Sequence, residues 1–278
     1  MRARSSPARI HTFRSTSARA TRLTPSARSP TMSATKRTTL VTFDVDGTLI
    51  HTVGANANKF HKDAFAHGFR EVYGVETTID VVSHQGSTDM LISAAVMRHH
   101  GMSEEAIAER MQAHCAAMSR YALERKADAA DGLELLPVVK TLLQKLSSRD
   151  DVVVCLVTGN LQPIAWAKME RLGVSDFFTP PRFGGFGSDH TDRGELVKLA
   201  AERAKEYLDF DVENGSRFHF GDTPMDIEAA ERAGAVAVGL LTGIFSREQL
   251  VQSSKLDDPV IFDDLTDTES VMRTLGLA

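Results

Sequence analysis

At 278 residues and 42% hydrophobic content, the chain can bury a sizeable core, as one large domain or a core with a smaller module. No stretch approaches the roughly 18 consecutive apolar residues of a membrane span, and Cys115 and Cys155 are too few and too far apart for a disulfide framework or a zinc site. The net charge of −5 is unevenly placed: residues 1–43 hold eight arginines and Lys36 with no acid, a charge of +9, which leaves −14 for the rest and argues against nucleic acid as the main partner.

The amino-terminal stretch, residues 1–36, is rich in Arg, Ser, Thr and Ala and broken by Pro7, Pro25 and Pro30. Such composition cannot form a core. It fits an organellar transit peptide, mitochondrial more than chloroplast, with a disordered basic tail as the plainer reading. If translation starts at Met32, the protein is cytoplasmic. Beyond the tail, the first predicted strand is Thr39–Phe43, ending at Asp44, Asp46 and Gly47. From there to about Asp131 the pattern is helical, over Asn58–Tyr73, Ser87–His100 and Ser103–Lys126. His99-His100-Gly101 reads as a helix C-terminus, with histidines favourable to the dipole and glycine ending the helix.

After residue 131, short apolar runs alternate with amphipathic segments. Strands are predicted at Val152–Val157, Asp176–Phe178, Arg217–Phe220, Ala235–Leu240 and Pro259–Phe262, and helices at Gln162–Leu172, Glu195–Tyr207 and Asp226–Ala233. This rhythm implies βαβ units: an α/β fold with a Rossmann-like parallel sheet, helices on both faces, and a helical module inserted after the first strand. The division is residues 1–36 as tail, 37–50 and 131–278 as core, and 51–130 as the inserted module, hinged near His51–Gly54 and Ala130–Gly132.

A parallel sheet brings the carboxyl ends of its strands to one edge, where ligands bind. Three motifs fall there: Asp44 and Asp46 after the first strand, Thr158-Gly159-Asn160 after Val152–Val157, and Gly221-Asp222-Thr223-Pro224-Met225-Asp226 after Arg217–Phe220. Asp44, Asp46, Asp222 and Asp226 would crowd together, and several carboxylates cannot all stay ionised in one site without a cation. Oxygen ligands alone select a hard ion, and Mg²⁺ is the natural choice. The plainer reading of these acids is helix N-capping, for which Asp226 is placed.

Asp44-Val45-Asp46-Gly47-Thr48 resembles the first motif of the haloacid-dehalogenase-like hydrolase superfamily, and the resemblance covers about residues 37–265. It implies that the inserted module is a C1 cap, that Asp44 is a nucleophile forming an aspartyl-phosphate, and that Asp46 is its acid/base partner. It also implies that Asp44, the Asp46 backbone carbonyl and Asp222 bind Mg²⁺ with Asp226 behind them, and that Thr158 and Gly159, with Asn160, hold the phosphoryl group. The third motif departs from the usual Lys-Pro. Arg193 opens its helix at the expected position, and Lys198 is a rival more than one turn further on.

Gly86-Ser87-Thr88-Asp89 is similar to a stretch in the caps of phosphoglycolate-phosphatase-like members, although such a cluster is also an ordinary N-cap. His51 and Thr52, just after the first motif, are weaker candidates for substrate contact. An acid at the Asp46 position argues for phosphoryl chemistry rather than dehalogenation, where no leaving alkoxide needs a proton. The expectation is a Mg²⁺-dependent phosphatase of a small phosphorylated metabolite. A sugar phosphomutase of the β-phosphoglucomutase kind and a non-catalytic binding protein on the same fold are the alternatives.

Overall fold

The computed structural model describes residues 37–278; the transit-peptide expectation for residues 1–36 lies outside the described residues. In chain order the first half consists of β1 (Thr39–Phe43), β2 (Ile50–Thr52), α1 (Lys59–Gly68), α2 (Asp89–His99), α3 (Glu104–Glu124), β3 (Leu133–Leu135) and α4 (Val139–Ser147). The second half consists of β4 (Val152–Thr158), α5 (Gln162–Arg171), β5 (Gly184–Phe186), α6 (Arg193–Leu208), β6 (Ser216–Gly221), α7 (Pro224–Arg232), β7 (Val236–Leu240), α8 (Arg247–Ser253), β8 (Val260–Phe262) and α9 (Thr268–Thr274).

β1 and β4 are buried at every residue. A parallel strand covered on both faces has no solvent side, which is why both read as unbroken apolar and β-branched runs. The six strands lie in the order β5-β4-β1-β6-β7-β8 with all pairs parallel. Alternate residues feed opposite faces. Val41, Phe43, Val154 and Leu156 pack with α4, α5 and α9, whereas Leu40, Val153, Cys155 and Val157 pack with α6 and α7. Phe43 lies level with Leu156 on one side and Phe220 on the other. Asp44, Thr158 and Asp222, one or two residues further on, therefore emerge at the same edge. From β1 the sheet grows through β4 and β5 in one direction and through β6, β7 and β8 in the other, so this edge is also the topological switch point.

One predicted strand is corrected. Asp176–Phe178 is not extended; Ser175–Phe177 forms a single 3₁₀ turn, and the edge strand is β5, eight residues on. Its glycines hid it. A Cβ at Gly184 would lie 2.1 Å from the Leu156 carbonyl and one at Gly185 2.1 Å from the Leu196 carbonyl, so backbone packs directly on backbone where a strand usually shows β-branched side chains.

The chain leaves the sheet through β2 and returns through β3, which pair antiparallel as a small ribbon. Between them lies the helical cap. A π-helical turn at Phe69–Tyr73 continues α1, Ser103 caps α3 by accepting from the Ala106 N–H, and α2 ends at His99 ahead of Gly101 with φ +78°. Phe65, Phe69, Val96, Met97 and Met118 form the cap's own core, which Leu161, Ile164 and Ala167 of the α5 region join from the other side. Helix α5 thus packs against the sheet through Ala165 and Met169 and against the cap through Ile164 and Ala167. Among the described residues no helix is long and apolar enough to cross a membrane.

Candidate active site

A cleft of about 450 Å³ opens at the switch point between the sheet edge and the cap. Asp44, Asp46, Thr158, Asn160, Arg193 and Asp222 line its floor, and His61, Phe65, Ile79, Gly86, Ser87 and Asp89 line the cap side.

Asp44 is buried, its backbone N–H donating to the Phe220 carbonyl at 2.9 Å. Its Oδ1 accepts from Arg193 Nη1 at 3.1 Å, and the same nitrogen bonds Asp226 Oδ1. Asp226 is saturated. Its Oδ2 accepts from the Thr223 N–H at 3.1 Å and the Thr223 hydroxyl at 2.7 Å, closing a capping box on α7, while His219 Nε2 lies 3.3 Å from Oδ1. The N-cap of α7 is therefore Thr223 and not Asp226, which stands inside the first turn as the reciprocal partner of the capping box while also belonging to the acidic cluster. Oxygens of Asp44, Asp222 and Asp226 all lie within 4.8 Å of one another.

One guanidinium cannot neutralise three carboxylates in so dry a place. Burial, opposed by Arg193 but reinforced by Asp226 and Asp46, pushes the Asp44 carboxyl up to about 6. Burial together with the Asp226 and Asp44 charges pushes Asp222 up to about 8. Asp226 goes the other way, because Arg193 and His219 outweigh its burial and hold it well below the usual range. The donor set therefore fits a hard divalent cation, with Asp44 and Asp222 facing the cleft and held protonated above the ordinary carboxylate range for want of a second positive charge. Two glycines pack directly against the Asp222 carboxylate: a Cβ at Gly47 would lie 2.3 Å from Asp222 Oδ2 and one at Gly243 1.8 Å from it.

Asp46 belongs to a different network. Both its oxygens accept from Lys168 Nζ at 2.8 Å, and Oδ2 also accepts from Asn160 Nδ2 at 3.0 Å. Its side chain remains a third exposed to the cleft. Burial alone would raise its pKa, but Lys168, with His61 and Asn160, together outweighs that effect and holds the carboxyl below the usual range.

The Thr158 hydroxyl accepts from the Asn160 N–H at 3.3 Å, and Gly159 lies under Arg193 and the cap, where a Cβ would meet the Ser87 carbonyl at 2.5 Å. Lys198 lies apart from these residues, on the exposed side of α6, paired with Glu195 at 2.6 Å. In the cap, Asp89 does more than start α2. It is buried, its N–H donates to the Gly159 carbonyl at 2.8 Å, and its Oδ2 accepts from the Leu161 N–H at 2.8 Å.

Sequence reasoning missed Lys168, His61 and His219. Lys168 had a signal: it shares the buried stripe of α5 with Ile164, Ala165 and Met169, where a lysine has no ordinary reason to be.

The sequence profile of the haloacid dehalogenase-like hydrolases matches residues 38–234. The chain belongs to that family. The matched span includes every carboxylate of the cleft and the whole cap, and the buried Asp44, Asp222 and Asp226 cluster fits the active site of such a hydrolase. No curated protein matches the chain in sequence. Solved structures share its fold at low identity. A predicted phosphatase from Clostridium acetobutylicum aligns with a TM-score of 0.58 at 15% identity, over 86% of this chain and 100% of its own. A predicted phosphoglycolate phosphatase from Haemophilus somnus aligns at 0.54 and 19%, over 87% and 100%. A β-phosphoglucomutase from Clostridium difficile aligns at 0.54 and 17%, over 86% and 97%.

Proposed function

We propose that this hydrolase is a Mg²⁺-dependent phosphatase that cleaves a small phosphorylated metabolite through an aspartyl-phosphate on Asp44. The carrying observation is that two carboxylates of one short motif reach the same cleft on separate partners, Asp44 on Arg193 and Asp46 on Lys168 and Asn160. One can then attack phosphorus while the other handles protons. Asp44 and Asp222, with the Asp46 carbonyl, would hold Mg²⁺, which lowers the repulsion between an anionic nucleophile and a phosphate and offsets charge on the transferring oxygens.

The remaining steps belong to the protein. Asp44 attacks in line and the P–O bond to the leaving group breaks. Arg193, beside Asp44, and the Thr158 hydroxyl and Gly159 N–H bind the phosphoryl oxygens. Asp46 gives its proton to the departing oxygen. Because Lys168 keeps Asp46 ionised at rest, that proton arrives with the substrate, a phosphomonoester monoanion having a second pKa near ~6. Asp46, again ionised, then takes a proton from the water that attacks the aspartyl-phosphate, and phosphate leaves.

Hydrolysis is favoured over a mutase by the lining. A phosphomutase must hold a phosphorylated substrate against phosphorylated Asp44, hence two phosphates at once. On the cap side of the cleft the lysine among the described lining residues is Lys62, and it is already paired with Asp80 at 2.9 Å. The volume of about 450 Å³ supports a substrate of metabolite size. The composition of residues 1–36 supports delivery to an organelle, mitochondrial by its arginine content; a fluorescent fusion of the full chain tests it.

Phosphate release from a panel of small phosphomonoesters, with Mg²⁺ or with chelator and with Asp44→Asn as control, tests the function. Mg²⁺-dependent release abolished in the variant is expected. Isomerisation of a sugar phosphate without release would replace the phosphatase by a mutase. No turnover of any kind would leave a binding protein.

A further inference from the structure

Lys168 has no exposed surface at all, yet it carries a charge into the seam between the sheet and the cap. Its ammonium is fully used. Nζ lies 2.8 Å from each Asp46 oxygen, 2.9 Å from Asn160 Oδ1 and 3.3 Å from His61 Nδ1. An ammonium only donates, so His61 Nδ1 accepts and the imidazole proton sits on Nε2, which donates to Asp89 Oδ2 at 3.0 Å. The same reasoning orients Asn160: its Oδ1 faces Lys168 and its Nδ2 donates to Asp46 Oδ2. Asp89 is tied in turn to the Leu161 N–H. The chain of contacts runs from the cap through Lys168 to one carboxylate of the cleft, and each link is set by donor and acceptor chemistry.

A buried ion pair is a weak source of stability, because removing both charges from water costs about what their attraction returns. What such a pair supplies is a fixed geometry. Two equal bonds from one nitrogen to both Asp46 oxygens, with Asn160 as a third contact, leave that carboxylate one orientation. We propose that Lys168 is a positioning residue for Asp46, an ammonium anchored from the cap by His61 and Asp89 that fixes the orientation in which Asp46 meets the leaving-group oxygen. The inference rests on Asp46 being the proton-transfer group. Lys168 itself touches no reacting atom.

Leaving-group dependence separates positioning from mere structural support. An alkyl phosphate needs a proton on its departing oxygen, whereas p-nitrophenolate leaves without one. In the full chain, Lys168→Met should lower kcat on an alkyl phosphate about 10²-fold or more, the low end of general acid–base catalysis. It should lower kcat on p-nitrophenyl phosphate less than about tenfold by the same argument, with KM little changed. The double variant Asp46→Asn with Lys168→Met should be no slower than Asp46→Asn alone, since the two act as a unit. Lys168→Arg should restore part of the alkyl-ester rate.

Equal losses on both esters, or additive losses in the double variant, would overturn the inference while leaving the phosphatase intact. Undiminished alkyl-ester hydrolysis by Asp46→Asn would overturn the role of Asp46 and the inference with it. Should Lys168→Met not fold, His61→Phe decides: it leaves Asp46 untouched, removes the cap-side acceptor of Lys168, and should show the same leaving-group dependence in weaker form. An equal loss on both esters there sinks the proposal.

Discussion

Arg193 Nη1 stands between two carboxylates, 3.1 Å from Asp44 Oδ1 and bonded to Asp226 Oδ1. One cation therefore spans the side chain that would attack phosphorus and the side chain that completes the capping box of α7. The arrangement explains why Asp226 stays ionised while Asp44 is pushed up. Asp226 adds His219 and Thr223 to its share of Arg193, and Asp44 has burial and neighbouring acids against it.

Removal of that cation should be costly in two ways. Arg193→Ala leaves Asp44 buried without its cation and Asp226 with only His219 and Thr223, and should destabilise the Mg²⁺-free protein by about 3–5 kcal/mol in chemical denaturation. It should also lower kcat by about 10²–10³-fold, as loss of a donor to transferring oxygens does. Lys198→Ala, at an exposed pair, should stay within about 0.5 kcal/mol of wild type in stability and keep its activity. The reverse order in a phosphate-release assay would show that Lys198 is the third-motif cation.

Asp44→Asn and Asp46→Asn should each lower turnover by at least ~10³-fold, because a nucleophile and its proton-transfer partner act as a unit. Rapid-quench detection of a phosphorylated protein tells the two apart. Asp44→Asn forms none, while Asp46→Asn forms it slowly and holds it. A phosphoprotein in Asp44→Asn would move the nucleophile elsewhere.

The cation and the proton compete for the same oxygens. Asp222 has a folded pKa of about 8 against an ordinary 3.8, so between those values the cation-free fold binds more protons than the unfolded chain. Its contribution to stability therefore falls as pH rises through that window and levels off above about 8. Mg²⁺ should raise Tm more at pH 8 than at pH 6, since at the lower pH it must displace a proton. A shift independent of pH, or one that survives in Asp222→Asn, would contradict this. Likewise, kcat/KM at low Mg²⁺ should fall as pH drops below about 6, where Asp44 takes up its proton, and saturating Mg²⁺ should move that limb to lower pH.

Gly47 tests the cradle around Asp222. With φ at +90° and a would-be Cβ 2.3 Å from the Asp222 carboxylate, Gly47→Ala should cost about 1–3 kcal/mol in strain and lose the Mg²⁺-induced rise in Tm. Gly74→Ala, at φ +70° with nothing within 4 Å, carries backbone strain without touching the site and should keep that rise. Retention of the rise in both variants would mean that Asp222 tolerates displacement.

The sequence by itself determined the parallel sheet, the family and the acids at its edge. A doubly covered strand must be apolar throughout, so β1 and β4 announce themselves, and the residue that ends such a strand must lie at the carboxyl edge. Arg193 was readable because it opens a helix at about the position that the family resemblance gives the third-motif cation. Strand β5 was not readable, since its glycines exist to let Leu156 and Leu196 backbones approach and carry no strand signature. Nor were the partners of Asp46. Lys168, 122 residues away on α5, and His61, on a cap helix, meet only because the cap packs on the helix that covers the sheet. Local pattern reports which face a side chain takes. Which charges share that buried face is decided by packing between distant segments, and there the low dielectric makes the pairing matter.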